Sequence, residues 1–167
     1  MATLTGLLRT PLATGTGARV GRAAEVIADR AHDPPLVTGV DVHGRRLRLG
    51  PGETVGEGAP AGDLLLVCDV LDVQVLDRKG RHRGRVGEVE LRRRDDGALE
   101  VVAVETGLRP VLRRLHLGRL AARASYDRIE WPHLHPQVGR THAYRAELAD
   151  RPRRFRGVLR ARRRTPR

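Results

Sequence analysis

The sequence predicts a mainly β protein built from two similar halves. Three observations lead to this prediction: a repeat at an offset of 63 residues, short segments in which apolar and polar residues alternate, and clusters of turn-forming residues between those segments. Many short strands separated by frequent turns are typical of small barrels and sandwiches. We therefore expect two tandem small β-barrels related by internal duplication, with a short helix and a basic C-terminal tail.

The repeat is visible without a gap in the alignment. Residues 21–44 align with residues 84–107, and 8 of the 24 aligned positions are identical. Glycines and a turn aspartate coincide as well as common residues, which favours duplication over chance because these residues set turn geometry. The identical pairs are Gly21 and Gly84, Arg22 and Arg85, Glu25 and Glu88, Val26 and Val89, Arg30 and Arg93, Asp33 and Asp96, Leu36 and Leu99, and Gly44 and Gly107.

Each copy predicts a β-hairpin. In the first copy, Val26 and Ala28 alternate with Glu25 and Asp29, which is the period of a strand with one buried face. The following AHDPP, and RRDDGA in the second copy, contain residues that favour turns, and a second apolar strand segment comes after each of them. Further short strands are predicted at residues 47–49, 64–67, 73–76 and 129–131.

One helix is predicted after the second hairpin. Proline suits the first turn of a helix, so we expect the helix to begin at Pro110. Leucines and alanines at near-helical spacing continue to Ala124, although Gly118 interrupts the pattern.

The positive charge is concentrated at the C-terminal end. Residues 1–150 contain all 20 acidic residues and 23 of the 32 basic ones, a net charge of +3, whereas residues 151–167 contain nine arginines and no acid. Such a tail either stays solvated, as a disordered segment that aids solubility, or binds an anionic membrane surface or nucleic acid. The predicted anionic-surface residues are Arg151, Arg153, Arg154, Arg156, Arg160, Arg162, Arg163, Arg164 and Arg167.

Composition limits the other classes. No apolar run approaches the roughly 18 residues of a membrane span, and the amino terminus has no basic leader typical of an export signal. The single Cys68 agrees with a reducing compartment, so we expect a cytoplasmic protein that is peripheral at the membrane if its tail binds lipid. Four aromatic residues are too few for a base-stacking platform.

No stretch predicts an active site. The glycine-rich residues 15–21 superficially resemble a phosphate loop, but their counterpart, residues 78–84, is a basic hairpin turn, and no P-loop lysine and serine pair is present. Prolines around His133 and His135 interrupt the strand that a metal-binding pair would need, and His142 lies further on, so a solvated loop is favoured.

The remaining candidate groups have simpler structural roles. Cys68 lies in an apolar run, where we expect an inert buried thiol. Asp69, Asp72 and Asp77 are expected to accept hydrogen bonds from backbone amides of turns. We therefore predict no catalytic residue, no metal and no cofactor.

Three segments together resemble a PRC-barrel domain, the family named for the H subunit of the photosynthetic reaction centre. They are DVLDVQVLDRKGRHRGRVGEVELRR at 69–93, LEVVAVETGLRPVLRRL at 99–115 and YDRIEWPHL at 126–134. More narrowly, residues 4–135 resemble the paired PRC-barrel region of actinobacterial proteins described as similar to the intracellular part of MgtE-type magnesium transporters. The first copy departs from the family pattern at 50–55, where GPGETV replaces a Val-Pro-Trp closing strand.

This resemblance implies a six-stranded barrel fold, a role as a non-enzymatic adaptor in protein–protein interaction, and no shared catalytic residue. We predict a first repeat at 1–62, a second at 63–135, and an Arg-rich, partly helical or disordered tail at 136–167. Barrels of about 65 residues are marginal alone, so we expect the two to pack about a pseudo-two-fold axis. The protein partner is not identified by the sequence, and a homodimer is compatible with it. The alternative function is a nucleic-acid or ribosome-associated factor, since ribosome maturation factors also carry a PRC barrel.

Overall fold

The computed structural model describes residues 2–136 and 143–146. It is mainly β with one large mixed sheet, which confirms the predicted fold class at this level. The strands are β1 (Ala2–Thr3), β2 (Leu12–Thr14), β3 (Arg19–Gly21), β4 (Glu25–Asp29), β5 (Leu36–Val42), β6 (Arg45–Leu49), β7 (Thr54–Gly56), β8 (Leu64–Leu65), β9 (Gln74–Leu76), β10 (His82–Arg93), β11 (Leu99–Gly107), β12 (Tyr126–Glu130), β13 (Leu134–Pro136) and β14 (Ala143–Ala146). The helices are α1 (Leu4–Arg9), α2 (Leu108–Arg114) and α3 (Gly118–Ala121), with 3-10 turns at Pro51–Glu53 and Trp131–His133 and a π-helical segment at Leu66–Val70.

The described strands form one sheet. Its order is β13-β14-β9-β10-β11-β5-β6-β7-β2-β3, while β1 pairs with β10, β12 with β11, and β4 with both β5 and β8. Within the described residues the sheet is not closed, so the two separate barrels that the sequence predicts are not what the strand pairing forms. Instead, β5 of the first half pairs directly with β11 of the second, because strand pairing satisfies edge amides and carbonyls that packing of two faces would leave open.

The pairing at the junction of the halves is symmetric. Leu36 lies opposite Glu100, and Val37 lies opposite Leu99. Leu99 and Glu100 are the residues 63 positions after Leu36 and Val37. Exchange of the two halves therefore maps this pairing onto itself, as a two-fold relation requires.

Two hairpin turns also correspond at the same offset. The amide of Thr14 donates to the carbonyl of Ala18 at 2.8 Å, and the amide of Asp77 donates to the carbonyl of Arg81 at 2.9 Å. The third residue after Thr14 and the third after Asp77 are both glycines with positive φ, a backbone conformation that is strained for other residues. These glycines are Gly17 (φ 83°) and Gly80 (φ 74°). The glycine-rich residues 15–21 thus belong to the hairpin of β2 and β3, as the sequence predicts.

Buried glutamates link the two halves reciprocally. The carboxylate of Glu25 accepts hydrogen bonds from the amides of Val67 (2.6 Å) and Cys68 (3.0 Å). The carboxylate of Glu88 accepts one from the amide of Thr5 at 3.0 Å. Because Thr5 and Cys68, like Glu25 and Glu88, are 63 positions apart, each half supplies a carboxylate to the first helical turn of the other.

The core is shared by both halves. Leu4 and Leu7 of α1, Leu64, and Leu91 belong to one buried apolar cluster. The first strand of each half crosses to the other, since β1 pairs with β10 and β8 pairs with β4. Full burial of each leucine contributes about 1.5–3 kcal/mol, so the halves are stabilised together.

A predicted helix and a predicted strand also differ from the structure. The single helix predicted from Pro110 to Ala124 is two short helices, α2 and α3, separated by a turn in which His116 has φ 61°. The strand predicted at 64–67 ends at Leu65, because the carboxylate of Glu25 fixes the next amides in a π-helical turn.

Candidate docking surface

The two halves differ most in the connection that follows their central strands. In the first half, β5 and β6 are joined by His43 and Gly44, a tight turn in which both residues have positive φ. In the second half, β11 and β12 are separated by residues 108–125, which contain α2 and α3.

This connection carries the exposed apolar surface of the molecule. In the described part of the chain, all the exposed large apolar side chains lie within residues 108–126. Exposed apolar side chains that are concentrated in one segment of a folded protein make that segment a candidate interaction site. We call these six side chains the docking surface: Leu108, Val111, Leu115, Leu117, Leu120 and Tyr126.

Helix α2 has an unusual orientation. Leu108, Val111 and Leu115 follow the spacing i, i+3, i+7, which places them on one stripe of a helix. A surface helix normally buries such a stripe, yet here Leu108 is 66% exposed and Leu115 is 62% exposed. The apolar stripe of α2 therefore faces solvent.

The opposite side of α2 is held against the sheet by two contacts. Pro110 is buried and lies on Gly87, where an added Cβ would come within 2.8 Å of the proline Cβ. Arg113 Nη2 donates to Glu105 Oε2 at 2.5 Å. A close glycine–proline contact and an ion pair thus fix α2 with its leucines outward.

The docking surface is bordered by positive charge. Residues 107–126 contain five arginines and no acidic residue. The guanidinium of Arg109 lies 4.2 Å from the centroid of the Tyr126 ring, in a cation–π contact. Arg119 and Arg123 are exposed on and after α3. The chemistry of this surface suits a partner that is both apolar and anionic.

A network of buried carboxylates supports the base of this connection. Burial raises the pKa of Glu105, the charge of Arg113 opposes that increase, and the charge of Glu90 adds to it. Arg128 Nε donates to Glu90 Oε2 at 2.8 Å, and this hydrogen bond raises the pKa of Arg128 although burial lowers it. The carboxylates have arginine partners, and their evident role is to anchor α2 and β12.

The structure describes only some of the site residues that the sequence predicts. The nine tail arginines and His142 lie outside the described residues. His133 and His135 are exposed, but the loop predicted for them is wrong at His135, which lies in β13 and pairs with Arg145 of β14. In the described residues no group of three His, Cys, Asp or Glu side chains is placed to hold a metal ion. Among the same residues, no helix has the length and apolar character needed to cross a bilayer.

The predicted burial of Cys68 is wrong. Its side chain is exposed, because the π-helical turn at Leu66–Val70 interrupts the strand that would have directed it inward. A hydrogen bond and the negative charge of Glu25 raise the pKa of the thiol, with smaller contributions from burial and Asp69. A raised pKa disfavours the thiolate, which is the nucleophilic form of cysteine.

The aspartates behave as the sequence predicts where their contacts are described. Asp69 accepts a hydrogen bond from the amide of Leu65 at 2.9 Å. Asp77 accepts hydrogen bonds from the amides of Lys79 and Arg81, each at 2.9 Å. Both carboxylates satisfy backbone amides.

An open cleft at the tip of the β10–β11 hairpin is lined by charged residues of the turn, including 92–96. Its cations have partners: Arg92 Nε donates to Glu100 at 2.6 Å, and Arg93 Nη2 donates to Glu53 at 2.6 Å. Solvated ion pairs account for this cleft, and it offers no apolar floor for a ligand.

The docking surface was missed by sequence reasoning. Its signal was present, since an acid-free stretch of 20 residues with apolar positions at i, i+3 and i+7 lies inside the nearly neutral body of the protein. The same pattern, however, predicts a helix that buries its stripe.

No protein-family model matches the chain, and neither a curated protein nor a solved structure matches it at a significant level. The described residues define a mainly β protein whose helical connection at 108–125 carries exposed apolar side chains and arginines.

Proposed function

We propose that this protein is a non-enzymatic, cytosolic adaptor of the PRC-barrel type, which brings a protein partner to an anionic surface. The observation that carries the anionic-surface part of the proposal is the docking surface, whose leucines are held outward by contacts on the other side of α2 and lie among arginines. Apolar area exposed to water is unfavourable by about 25 cal/mol per Å², so a contact that covers it is the simplest reason for its presence. The protein-partner part of the proposal rests on the family resemblance.

We also propose that the two halves arose by duplication and that each is an open variant of a PRC barrel. The support is the common offset of 63 residues in the sequence and in the hydrogen bonds of Glu25 and Glu88. The symmetric pairing of β5 with β11 is what two copies related by a two-fold axis would make.

The second candidate function is nucleic-acid or ribosome association, favoured by the nine arginines of residues 151–167. Phosphate contacts require positive charge but no exposed leucines. The docking surface therefore favours the adaptor over the nucleic-acid factor.

The proposal is tested with the full-length chain and a full-length variant in which the nine tail arginines are glutamine. Binding to anionic vesicles and to duplex DNA is measured at low and moderate salt. We expect vesicle binding by the wild type and weaker binding by the variant. If the variant binds DNA as tightly as the wild type and with the same salt dependence, the folded body is the nucleic-acid binder and the adaptor proposal fails.

The protein partner is sought by affinity capture with both proteins from the source cell. If the wild type and the tail variant capture the same partner, binding of the protein partner does not depend on the tail that binds the anionic surface. No partner captured by either protein would contradict the adaptor role.

A further inference from the structure

We propose that the docking surface is a lipid-contact site, in which α2 and α3 lie on an anionic bilayer with their leucines inserted at the boundary of headgroups and acyl chains. This inference rests on the proposed function, since both place the protein at an anionic surface. What it adds is the occupant of the docking surface and a binding element separate from the tail.

The first argument is the geometry of the apolar side chains. With 3.6 residues per turn, Leu108 and Val111 of α2 and Leu115, which caps its C-terminal end, fall within an arc of about 60°. All three are exposed, and Leu117 and Leu120 continue the exposed apolar surface into α3. An amphipathic helix at a membrane interface buries such a stripe about 5–10 Å deep, parallel to the membrane plane.

The second argument is the placement of positive charge. By helical position, Arg109 lies about 100° from Leu108, beside the apolar stripe, and Arg119 and Arg123 are exposed on and after α3. Arginine side chains at such positions extend along apolar surface and place their charge at the headgroups. Residues 107–126 contain no acidic residue, and the neighbouring carboxylates are Glu105, which pairs with Arg113, and the exposed Asp127 at the start of β12.

The third argument is that the other occupants fit less well. A second copy of the chain would present the same five arginines, so that like charges would meet across the interface. A stable protein interface buries about 800 Å² on each partner and involves about 20–30 residues a side, more than six apolar side chains on a short connection supply. A bilayer sets no such minimum, because membrane binding grows with each inserted side chain and each charge.

The fourth argument is preorganisation. Pro110 on Gly87 and the Arg113–Glu105 ion pair hold α2 in place before any partner arrives. Binding then orders little additional chain, which preserves the affinity gained from insertion.

The test uses full-length protein with vesicles of phosphatidylcholine alone and of phosphatidylcholine mixed with phosphatidylglycerol. The variant L108S/L115S/L120S removes three exposed leucines while the tail is intact, and unchanged thermal unfolding checks its fold. We expect its affinity for the mixed vesicles to fall by at least about tenfold, since each inserted leucine contributes to binding. Phosphatidylcholine vesicles should bind the wild type weakly.

The charge contribution is measured with a matched pair of variants. R119Q/R123Q removes two charges from the connection, and R45Q/R46Q removes two exposed charges from β6, outside the docking surface. We expect the first variant to lose affinity several-fold at low salt and the second to bind like the wild type. Equal losses for both pairs would mean that only net charge matters, and would overturn the inference.

A direct readout does not depend on the leucine variant. An environment-sensitive fluorophore on C68S/L115C should shift to the blue on mixed vesicles, whereas the same fluorophore on C68S/A31C, at an exposed site in the first half, should not. No shift at position 115 in vesicle-bound protein would overturn the inference.

The outcomes separate this inference from the proposed function. If L108S/L115S/L120S binds mixed vesicles like the wild type and the tail variant does not bind, the docking surface is not the lipid site, and the adaptor proposal stands through its tail. If the leucine variant keeps vesicle binding but loses a captured protein, a protein occupies the surface and the lipid assignment is wrong. If the wild type binds neither vesicles nor a protein partner, both proposals fail.

Discussion

The two halves share a scaffold and differ in what they attach to it. Both halves make the same turn bonds at Thr14 and Asp77, and both use a buried glutamate to hold the other half. After the central strand, however, two residues connect β5 to β6 in the first half, whereas 18 residues connect β11 to β12 in the second. The comparison teaches that the shared sheet provides stability, and that the docking surface lies on a connection that a rigid scaffold positions.

The difference extends into the sheet beneath the connection. The second half has Glu90 and Glu105 at the positions where the first half has Ile27 and Val42, which are buried and apolar. These glutamates pair with Arg128 and Arg113, which belong to the inserted connection and the strand after it. Buried carboxylates replace buried aliphatic groups only where an arginine accompanies them, because an unpaired buried charge is costly.

The largest effect is expected from removal of the glutamates that link the halves. Glu25→Ala leaves the part-buried amides of Val67 and Cys68 without their acceptor, at up to about 1–3 kcal/mol for each amide that water cannot reach. Glu88→Ala removes the acceptor of one amide of the other half, Thr5, so its cost should be smaller. Urea unfolding should show both variants as less stable than the wild type, with Glu25→Ala the less stable of the two; a variant with wild-type stability would contradict the reciprocal link between the halves.

A smaller effect is expected at the contact that orients α2. Gly87→Ala places a Cβ about 2.8 Å from Pro110 and should destabilise the protein by about 1–3 kcal/mol, as overpacking does. The residue 63 positions earlier is Ala24, in the half that has no α2. Ala24→Gly is the matched control and should cost no more than about 1 kcal/mol. Equal costs in thermal or urea unfolding would show that the Pro110 contact is not what excludes a side chain.

The next prediction concerns pH. Burial raises the pKa of Glu105 in the folded protein above its ordinary value of 4.5, despite the opposing charge of Arg113. Its contribution to stability is therefore full below that ordinary value and is lost as the pH rises through the folded pKa. The free energy of unfolding of the wild type should therefore decline over this pH range, and Glu105→Gln should lack the part of the decline that Glu105 causes. An identical pH profile for wild type and variant would contradict the assignment.

The smallest effect is expected at the hairpin turn. Asp77→Thr introduces the residue found at the corresponding position of the first half, Thr14. The hydroxyl of Thr14 accepts a hydrogen bond from the amide of Ala18 at 3.1 Å. Burial opposes ionisation of Asp77, but hydrogen bonds from the amide and side chain of Arg81 and the amide of Lys79 lower its pKa. Stability from Asp77 is thus present above its ordinary pKa and is lost as the pH falls through the lowered value. The free energy of unfolding of the variant should be slightly lower than that of the wild type at neutral pH and should fall less as the pH is lowered. If it falls as much as in the wild type, Asp77 does not contribute stability through its lowered pKa.

Part of the fold could be predicted from the sequence because local patterns determine it. The hairpin of β10 and β11 follows from alternation, from turn residues and from the repeat, and the glycines at 17 and 80 indicated turns that the structure has. The π-helical turn at Leu66–Val70 could not be predicted, since the acceptor that fixes it is Glu25, about 40 residues earlier. The exposure of Cys68 was missed for the same reason.

By itself, the sequence determined that the protein is mainly β and that its charge is unevenly distributed. It also determined that apolar residues at helical spacing form one stripe within residues 108–115. Only the tertiary structure decided that β5 pairs with β11 and that the stripe faces solvent. Periodicity fixes which residues share a face, because that depends on the backbone repeat alone. Which face is buried depends on the partners that the rest of the chain supplies, here Gly87 and Glu105.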